Sequence, residues 1–164
     1  MVCTDRIADM WTDASDDYDR IVSRELRNPR DVDHWRHELD MRLGDEPRDV
    51  LDVGCGPGFF SIMLSRLGHR VTSLDASEGM LRAARRNLTW YGIEPHVRHG
   101  DVVTLDGVAD SSVDAVVSRD VVWTLHDPAA AYRRWFQVLR PGGLVLVYDG
   151  NYRADRTGVR HSIW

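Results

Sequence analysis

"VLDVGCGPGFFS", residues 50–61, runs from a short apolar stretch into three glycines at alternate positions and out again into apolar residues. A brief run that is apolar on both faces reads as a buried strand. Glycine permits positive φ and lets a ligand approach the backbone with no Cβ in the way. The stretch is therefore a strand, a tight turn and the start of a helix. Its spacing, Gly54-Cys55-Gly56-Pro57-Gly58, is GxGxG and not GxGxxG. The usual dinucleotide fingerprint carries its last glycine three residues after the second, and that position here is Phe59. Taken alone, the turn supports two readings: a cofactor cradle or a structural corner.

Outward from this corner, strand-length apolar runs alternate with amphipathic stretches. The strands expected are 49–53, 70–75, 96–100, 113–118 and 144–149, and the helices between them 58–67, 78–91 and 128–139. Strands apolar on both faces and separated by helices predict a mainly parallel sheet with helices on both faces. Right-handed crossovers make this an α/β, doubly wound, Rossmann-like fold. Before it, Trp11, Tyr18, Ile21, Val22, Leu26, Trp35, Leu39 and Leu43 recur at helical spacing, interrupted at Asn28-Pro29, which predicts two or three helices. The expected organisation of residues 1–164 is one domain: an N-terminal helical segment (1–46) covering the site, a cofactor-binding core (47–150) and the start of a substrate segment (151–164). The acidic group Asp13, Asp16, Asp17 and Asp19 suits a first helical turn, where the helix dipole favours negative charge.

With 164 residues and 43% hydrophobic content, the chain has enough apolar material for one sizeable core. All 21 basic residues are arginine, which excludes a Schiff-base lysine and a GxxxxGK[ST] phosphate loop. The net charge of −5 is spread among interspersed acids and bases, so no basic face is offered to nucleic acid. Cys3 and Cys55 have no pairing logic, no signal-peptide pattern is present, and no apolar run reaches the roughly 20 residues of a membrane span. These features predict a cytoplasmic protein with no membrane and no nucleic-acid partner.

Asp75 stands at the end of the second expected strand, 17 residues after Gly58. A carboxylate there can accept both hydroxyls of a ribose lying across the sheet, or it can cap the next helix. Ser77 is the better cap, because Met80 and Leu81 follow it on the apolar period.

With these pieces in order, the chain resembles the class I S-adenosylmethionine-dependent methyltransferases. The resemblance rests on "VLDVGCGPG", "VTSLDASEGML", "HGDVVTL", "VDAVVSRDVVWTLHDP" and "VLRPGGLVLVYDG", spread over Val50 to Gly150. It implies S-adenosyl-L-methionine as cofactor, S-adenosyl-L-homocysteine as product, and a small-molecule methyl acceptor; the alternative is a noncatalytic or non-methylating S-adenosylmethionine-binding protein of the same fold, as a subunit of a complex. The turn, through Asp52, Gly54, Cys55, Gly56 and Gly58, would contact the methionine part. Asp75, with Ala76 beside it, would bind the ribose hydroxyls, and Met80 would pack on the adenine. In Gly100-Asp101-Val102, Asp101 would accept from the exocyclic amine. Arg119 and Asp120 fall where relatives contact the methionine part, and Tyr18 in "DDYD" looks like the tyrosine that closes over the cofactor.

Trp11, Tyr18 and Trp123 are candidates for an aromatic wall facing the sulfonium cation, with Trp11 and Trp123 also expected on the acceptor side. His126 is the histidine best placed to act as a base on a proton-bearing acceptor, or else it merely precedes the Asp127-Pro128 helix start. No metal is expected: His34 and His37 lack further ligands, and His96 and His99 alternate along a strand. Family members continue past the fifth strand with a helix and an antiparallel hairpin that cover that edge, and those strands are expected to be absent from residues 1–164. An uncovered apolar edge strand invites pairing. Either a longer chain or a second copy of the protein is expected to cover it.

Overall fold

The structure, a computed structural model, describes residues 2–150, so the expected substrate segment at 151–164 lies outside the described residues. Three helices come first: α1 (Val2–Asp13), α2 (Ser15–Glu25) and α3 (Pro29–Leu43). Then follow β1 (Asp49–Val53), α4 (Phe59–Arg66), β2 (Arg70–Asp75), α5 (Glu78–Trp90), β3 (Val97–His99), β4 (Val113–Arg119), a 3-10 turn (Val122–Thr124), α6 (Pro128–Val138) and β5 (Leu139–Tyr148). The break between α2 and α3 falls at Asn28-Pro29. The Asn28 side chain accepts from the Arg30 amide and Pro29 opens the helix, where a missing N–H costs nothing.

The five strands form a parallel sheet in the order β3-β2-β1-β4-β5. The chain winds outward from β1 to β3, then returns to the other side of β1 with β4. A crevice therefore opens at the carboxyl ends of β1 and β4, the switch point where such sheets bind ligands. Alternation along β1 sends Val50 and Leu51 to opposite faces. Val50, Val71, Ala115 and Val117 pack with residues of α2, α3 and α4, while Leu51, Val53, Leu74 and Val116 pack with α6 and the loop after β3. Trp135 is the largest fully buried side chain on that second face. It buries about 150–250 Å² of ring surface, and its indole N–H donates to the Val102 carbonyl at 2.7 Å, so the one polar atom is not left orphaned.

The strand positions agree with the sequence reading except at two edges. β3 shortens to three residues, and β5 begins at Leu139, five residues before the expected start. Pro141, Gly142 and Gly143 read as a loop, yet they lie within β5 because β5 is an edge strand, where a proline without an amide is tolerated. The extra residues are absorbed by a register shift: Val113 pairs with Leu139 but Ala115 with Leu144. Beneath, Arg140 bridges Asp49 and Asp114 at 2.8 and 2.9 Å and fastens the amino ends of β1, β4 and β5. These pairings hold the Asp49 and Asp114 carboxyls below the usual range, through hydrogen bonds from Arg70 and Arg140 and from the Asp49 amide respectively.

Candidate cofactor site

The glycine turn hangs from β2. The amides of Gly54 and Cys55 both donate to the Leu74 carbonyl, at 2.7 and 3.0 Å, and the Gly56 amide donates to the Asp75 carboxylate at 2.9 Å. Gly54 has φ 70°, and a Cβ there would lie 2.3 Å from a methyl of Val121, so both conformation and space require glycine. Gly58 opens α4 with φ 93°, and a Cβ there would make only an ordinary contact with Ala84 of α5 at 3.5 Å, so the backbone conformation, not the packing, calls for glycine.

Asp75 is fixed by two backbone donors. One carboxylate oxygen accepts from Gly56, and the other from the Ser77 amide at 2.8 Å. Ser77 itself caps α5 by accepting from Met80. Each carboxylate oxygen keeps acceptor capacity after these bonds. Burial pushes the Asp75 carboxyl up, and the two amide donors oppose it.

A cavity of about 370 Å³ sits above this turn, within the usual size range of small-molecule sites. Its floor includes Asp52, Gly54, Cys55 and Gly56; one side carries Asp75, Ala76 and Met80, and another carries Asp101, Val102 and Thr104. Arg119, Asp120, Leu125 and His126 close the β4 side, and Ile7, Ala8, Trp11, Tyr18 and Val22 of the leading helices form the roof. Trp11 meets both Tyr18 and Trp123 edge-on, with centroids 5.7 and 6.5 Å apart. The expected aromatic trio is therefore assembled, although Trp123 supports Trp11 from behind and does not line the cavity. Gly58 and Gly100 also lie outside the lining. His126 sits at the exposed rim, and Asp127 after it caps α6 by accepting from Ala130.

The roof is fastened at both ends of α5. Near its start, Thr12 and Ser77 hydroxyls are 2.9 Å apart, and Gly79 packs so closely that a Cβ would meet the Thr12 carbonyl at 2.8 Å. Further along, Asp19 pairs with Arg86 at 2.6 Å and accepts from Asn87 at 2.7 Å. Gly79→Ala is expected to push α1 and α2 off α5, because overpacking against backbone costs about 1–3 kcal/mol. The measurable outcome is a faster off-rate for a bound cofactor with a fluorescence-detected Tm lowered by only a few degrees.

The cavity wall is strongly acidic. Asp52, Asp75, Asp101, Asp120 and Asp127 stand against Arg119. Arg119 lies 4.8 Å from the Phe59 ring centroid and 5.1 Å from that of Trp35, and pairs with Glu25 of α2 at 2.6 Å and 3.2 Å. Burial works against its charge, but Glu25 and Asp120 outweigh that and its pKa is raised. Asp52 is 2% exposed and accepts from Ser61 at 2.5 Å, and Ser73 donates to Ser61 at 2.7 Å. Burial carries the Asp52 carboxyl up to about 7; the Ser61 hydrogen bond opposes this and the charge of Asp75 adds to it. Tyr18 is pushed up to about 12, first by burial and then by Asp120. Burial, with Asp75 and Asp52 nearby, raises the Cys55 thiol well above its ordinary value, so it is a filler and not a nucleophile.

Sequence reasoning missed several contributors. Glu25, Ser61 and Ser73 carry no local signature, since their partners are 94, 9 and 12 residues away. Gly79 did leave a signal: a glycine in the first turn of an amphipathic helix marks a close approach. Asp149, just past β5, accepts from the amides of Val121 and Trp123, both at 3.0 Å, and so anchors the segment carrying Trp123 and His126. Among the described residues no group of three or more histidines, cysteines or acids is arranged to hold a metal ion, and His34, His37, His96 and His99 are all exposed.

A parallel sheet with this strand order, a GxGxG turn at its switch point and an acid at the end of β2 define a nucleoside-cofactor fold of the methyltransferase kind. The family model described as a methyltransferase domain matches residues 51–147, and the chain belongs to this family of S-adenosylmethionine-dependent methyltransferases. It is 36% identical over 113 residues to a ubiquinone biosynthesis O-methyltransferase of Ruegeria pomeroyi, covering 66% of this chain and 45% of the relative. It is 33% identical over 140 residues to a malonyl-[acyl-carrier protein] O-methyltransferase of Serratia marcescens, covering 85% and 51%. A solved structure from Methanococcus maripaludis, described as a candidate S-adenosyl-L-methionine-dependent methyltransferase, aligns with TM-score 0.75 and 25% identity over 85% of this chain and 64% of that one. The chain thus spans about half the length of the curated relatives it matches.

Proposed function

We propose that this chain binds S-adenosyl-L-methionine in the cavity above the glycine turn and transfers its methyl group to a small-molecule acceptor, leaving S-adenosyl-L-homocysteine. The observation that carries the reading is the acidic wall around a pocket at the switch point, with Asp75 still able to accept from a diol. Among the described lining residues aspartates outnumber Arg119 even when Asp52 is neutral, which favours a cation, as the sulfonium is, and disfavours the pyrophosphate of a dinucleotide. The relatives named above support the same activity.

The cofactor supplies an already activated methyl group, so the protein's work is to bind, orient and exclude water. Asp75, with Ala76 beside it, holds the ribose hydroxyls, Met80 packs on the base, and Asp101 receives its amine. Asp101 is held for this by accepting from the Val103 amide at 2.6 Å. The turn residues and Asp52, with Arg119 and Asp120, face the methionine part. Tyr18 and Trp11 roof the reacting atoms. The acceptor enters between Ile7, Ala8 and Trp11 on one side and Leu125 and His126 on the other. His126→Ala is expected to lower turnover more than tenfold on a hydroxyl acceptor with cofactor affinity unchanged; unchanged turnover removes it from the mechanism.

No helix among the described residues is long and apolar enough to cross a membrane, and a cytoplasmic location is part of this proposal. Calorimetry with S-adenosyl-L-methionine, S-adenosyl-L-homocysteine and NAD tests the cofactor: micromolar binding of the first two and none of NAD is expected. Transfer of labelled methyl into a metabolite extract then tests the activity.

A further inference from the structure

Among the described residues of the cavity wall, Asp52 is the carboxylate most completely removed from water, and its place in the fold is unusual for a carboxylate. It sits in the middle of the sheet, on β1, paired opposite Val117 of β4 and Ser73 of β2. From α4, Ser61 donates to it, and Ser61 is joined in turn to Ser73. The charges that act on it come from Asp75 at the end of β2 and Arg119 at the end of β4. From the glycine turn it faces the Cys55 thiol, held neutral by burial. Tyr18 of α2 is neutral at all ordinary pH. Among the described residues the cation that acts on it is Arg119, which is shared: it is bound by Glu25 and flanked by Asp120. Asp52 therefore has hydroxyl neighbours, a second carboxylate and a cation already committed elsewhere. Two acids in one low-dielectric wall do not both ionise without a compensating positive charge.

We propose that Asp52 carries its proton in the free protein, releases it to solvent when the sulfonium-bearing cofactor binds, and regains one when the uncharged thioether product takes its place. This rests on the cofactor reading above. The proton count balances: the carboxylic acid O–H breaks, the proton goes to buffer, and the carboxylate left behind faces the added positive charge. Cofactor and product share the adenosine and the amino-acid end and differ at sulfur by one methyl and one charge. Asp52 thereby makes the pocket sensitive to that charge. The raised carboxyl, at about 7, places the exchange within reach of ordinary buffers.

Calorimetry of the intact chain at pH 6, run in two buffers of different ionisation enthalpy, reads the protons released per ligand bound. S-adenosyl-L-methionine is expected to release close to one proton and S-adenosyl-L-homocysteine clearly less. Below pH 7 the dissociation constant of the cofactor rises towards tenfold per pH unit, and that of the product rises less. Asp52→Asn abolishes the difference, whereas Asp75→Asn weakens both ligands and, by removing the second acid, diminishes the difference without abolishing it. If the asparagine variant does not fold, infrared spectra of the natural protein supply the same answer, through loss of a protonated-carboxyl stretch on adding cofactor and its return with product. Equal proton counts for the two ligands overturn the proposal alone, as does release that persists in Asp52→Asn. Binding of neither ligand overturns the cofactor reading and the proposal with it.

Discussion

Asp75→Ala is expected to weaken S-adenosyl-L-methionine binding by about a hundredfold, with helix content by circular dichroism unchanged. Hydrogen bonds to a charged group contribute about 1.5–3 kcal/mol, and about 2.7 kcal/mol is a factor of a hundred in affinity. The substitution removes more than a ligand contact. Gly56 and the Ser77 amide both donate to this carboxylate, so the glycine turn and the start of α5 lose their shared anchor. A 2′-deoxy analogue separates the two effects. It should bind the natural protein about tenfold more weakly than the parent cofactor, and the alanine variant no differently from it, since non-additivity reports direct contact. An unchanged penalty for the analogue in the variant would place the ribose elsewhere.

The second large effect concerns stability against pH without ligand. The folded-state carboxyl of Asp52, at about 7, lies above its ordinary value of 3.8. The folded protein then holds a proton that the unfolded chain has lost, so the contribution is fully present below pH 4 and disappears as pH rises to 7. Asp75 and Asp149, also raised by burial, act in the same direction, whereas Asp49 and Asp114 act only in acid. One pKa unit corresponds to about 1.4 kcal/mol, so the interval from pH 5.5 to 7 amounts to about 2 kcal/mol from Asp52. Urea unfolding at pH 5.5 and 8.5 should show Asp52→Asn gaining about 2 kcal/mol on the natural protein over that range. An identical pH dependence in both proteins would mean that Asp52 is ionised throughout.

The architecture was legible because its signals are local. Runs such as 49–53 and 70–75 are apolar on both faces, the turn glycines sit between strand and helix, and Asn28-Pro29 and Ser77 mark helix starts by their own side chains. β5 was misjudged at its start because Pro141 and the glycines after it are turn residues by composition, and only the edge position makes them strand. At the site, residues within the five quoted motifs fell mostly on one cavity. What escaped were the parts created by folding: the Glu25–Arg119 pair, the Ser73–Ser61–Asp52 chain and the anchoring of Val121 and Trp123 by Asp149. Their meaning lies in distance through space, which alternation and spacing do not encode.

The stitching of α1 and α2 to α5 also has a kinetic side. The Thr12–Ser77 contact and the Asp19 clasp fix how far Trp11 and Tyr18 stand from the cavity floor, so loosening either one widens the mouth that already opens at His126. Variants that part these contacts are expected to speed capture and escape together, leaving the ratio of the two rates less changed than either rate.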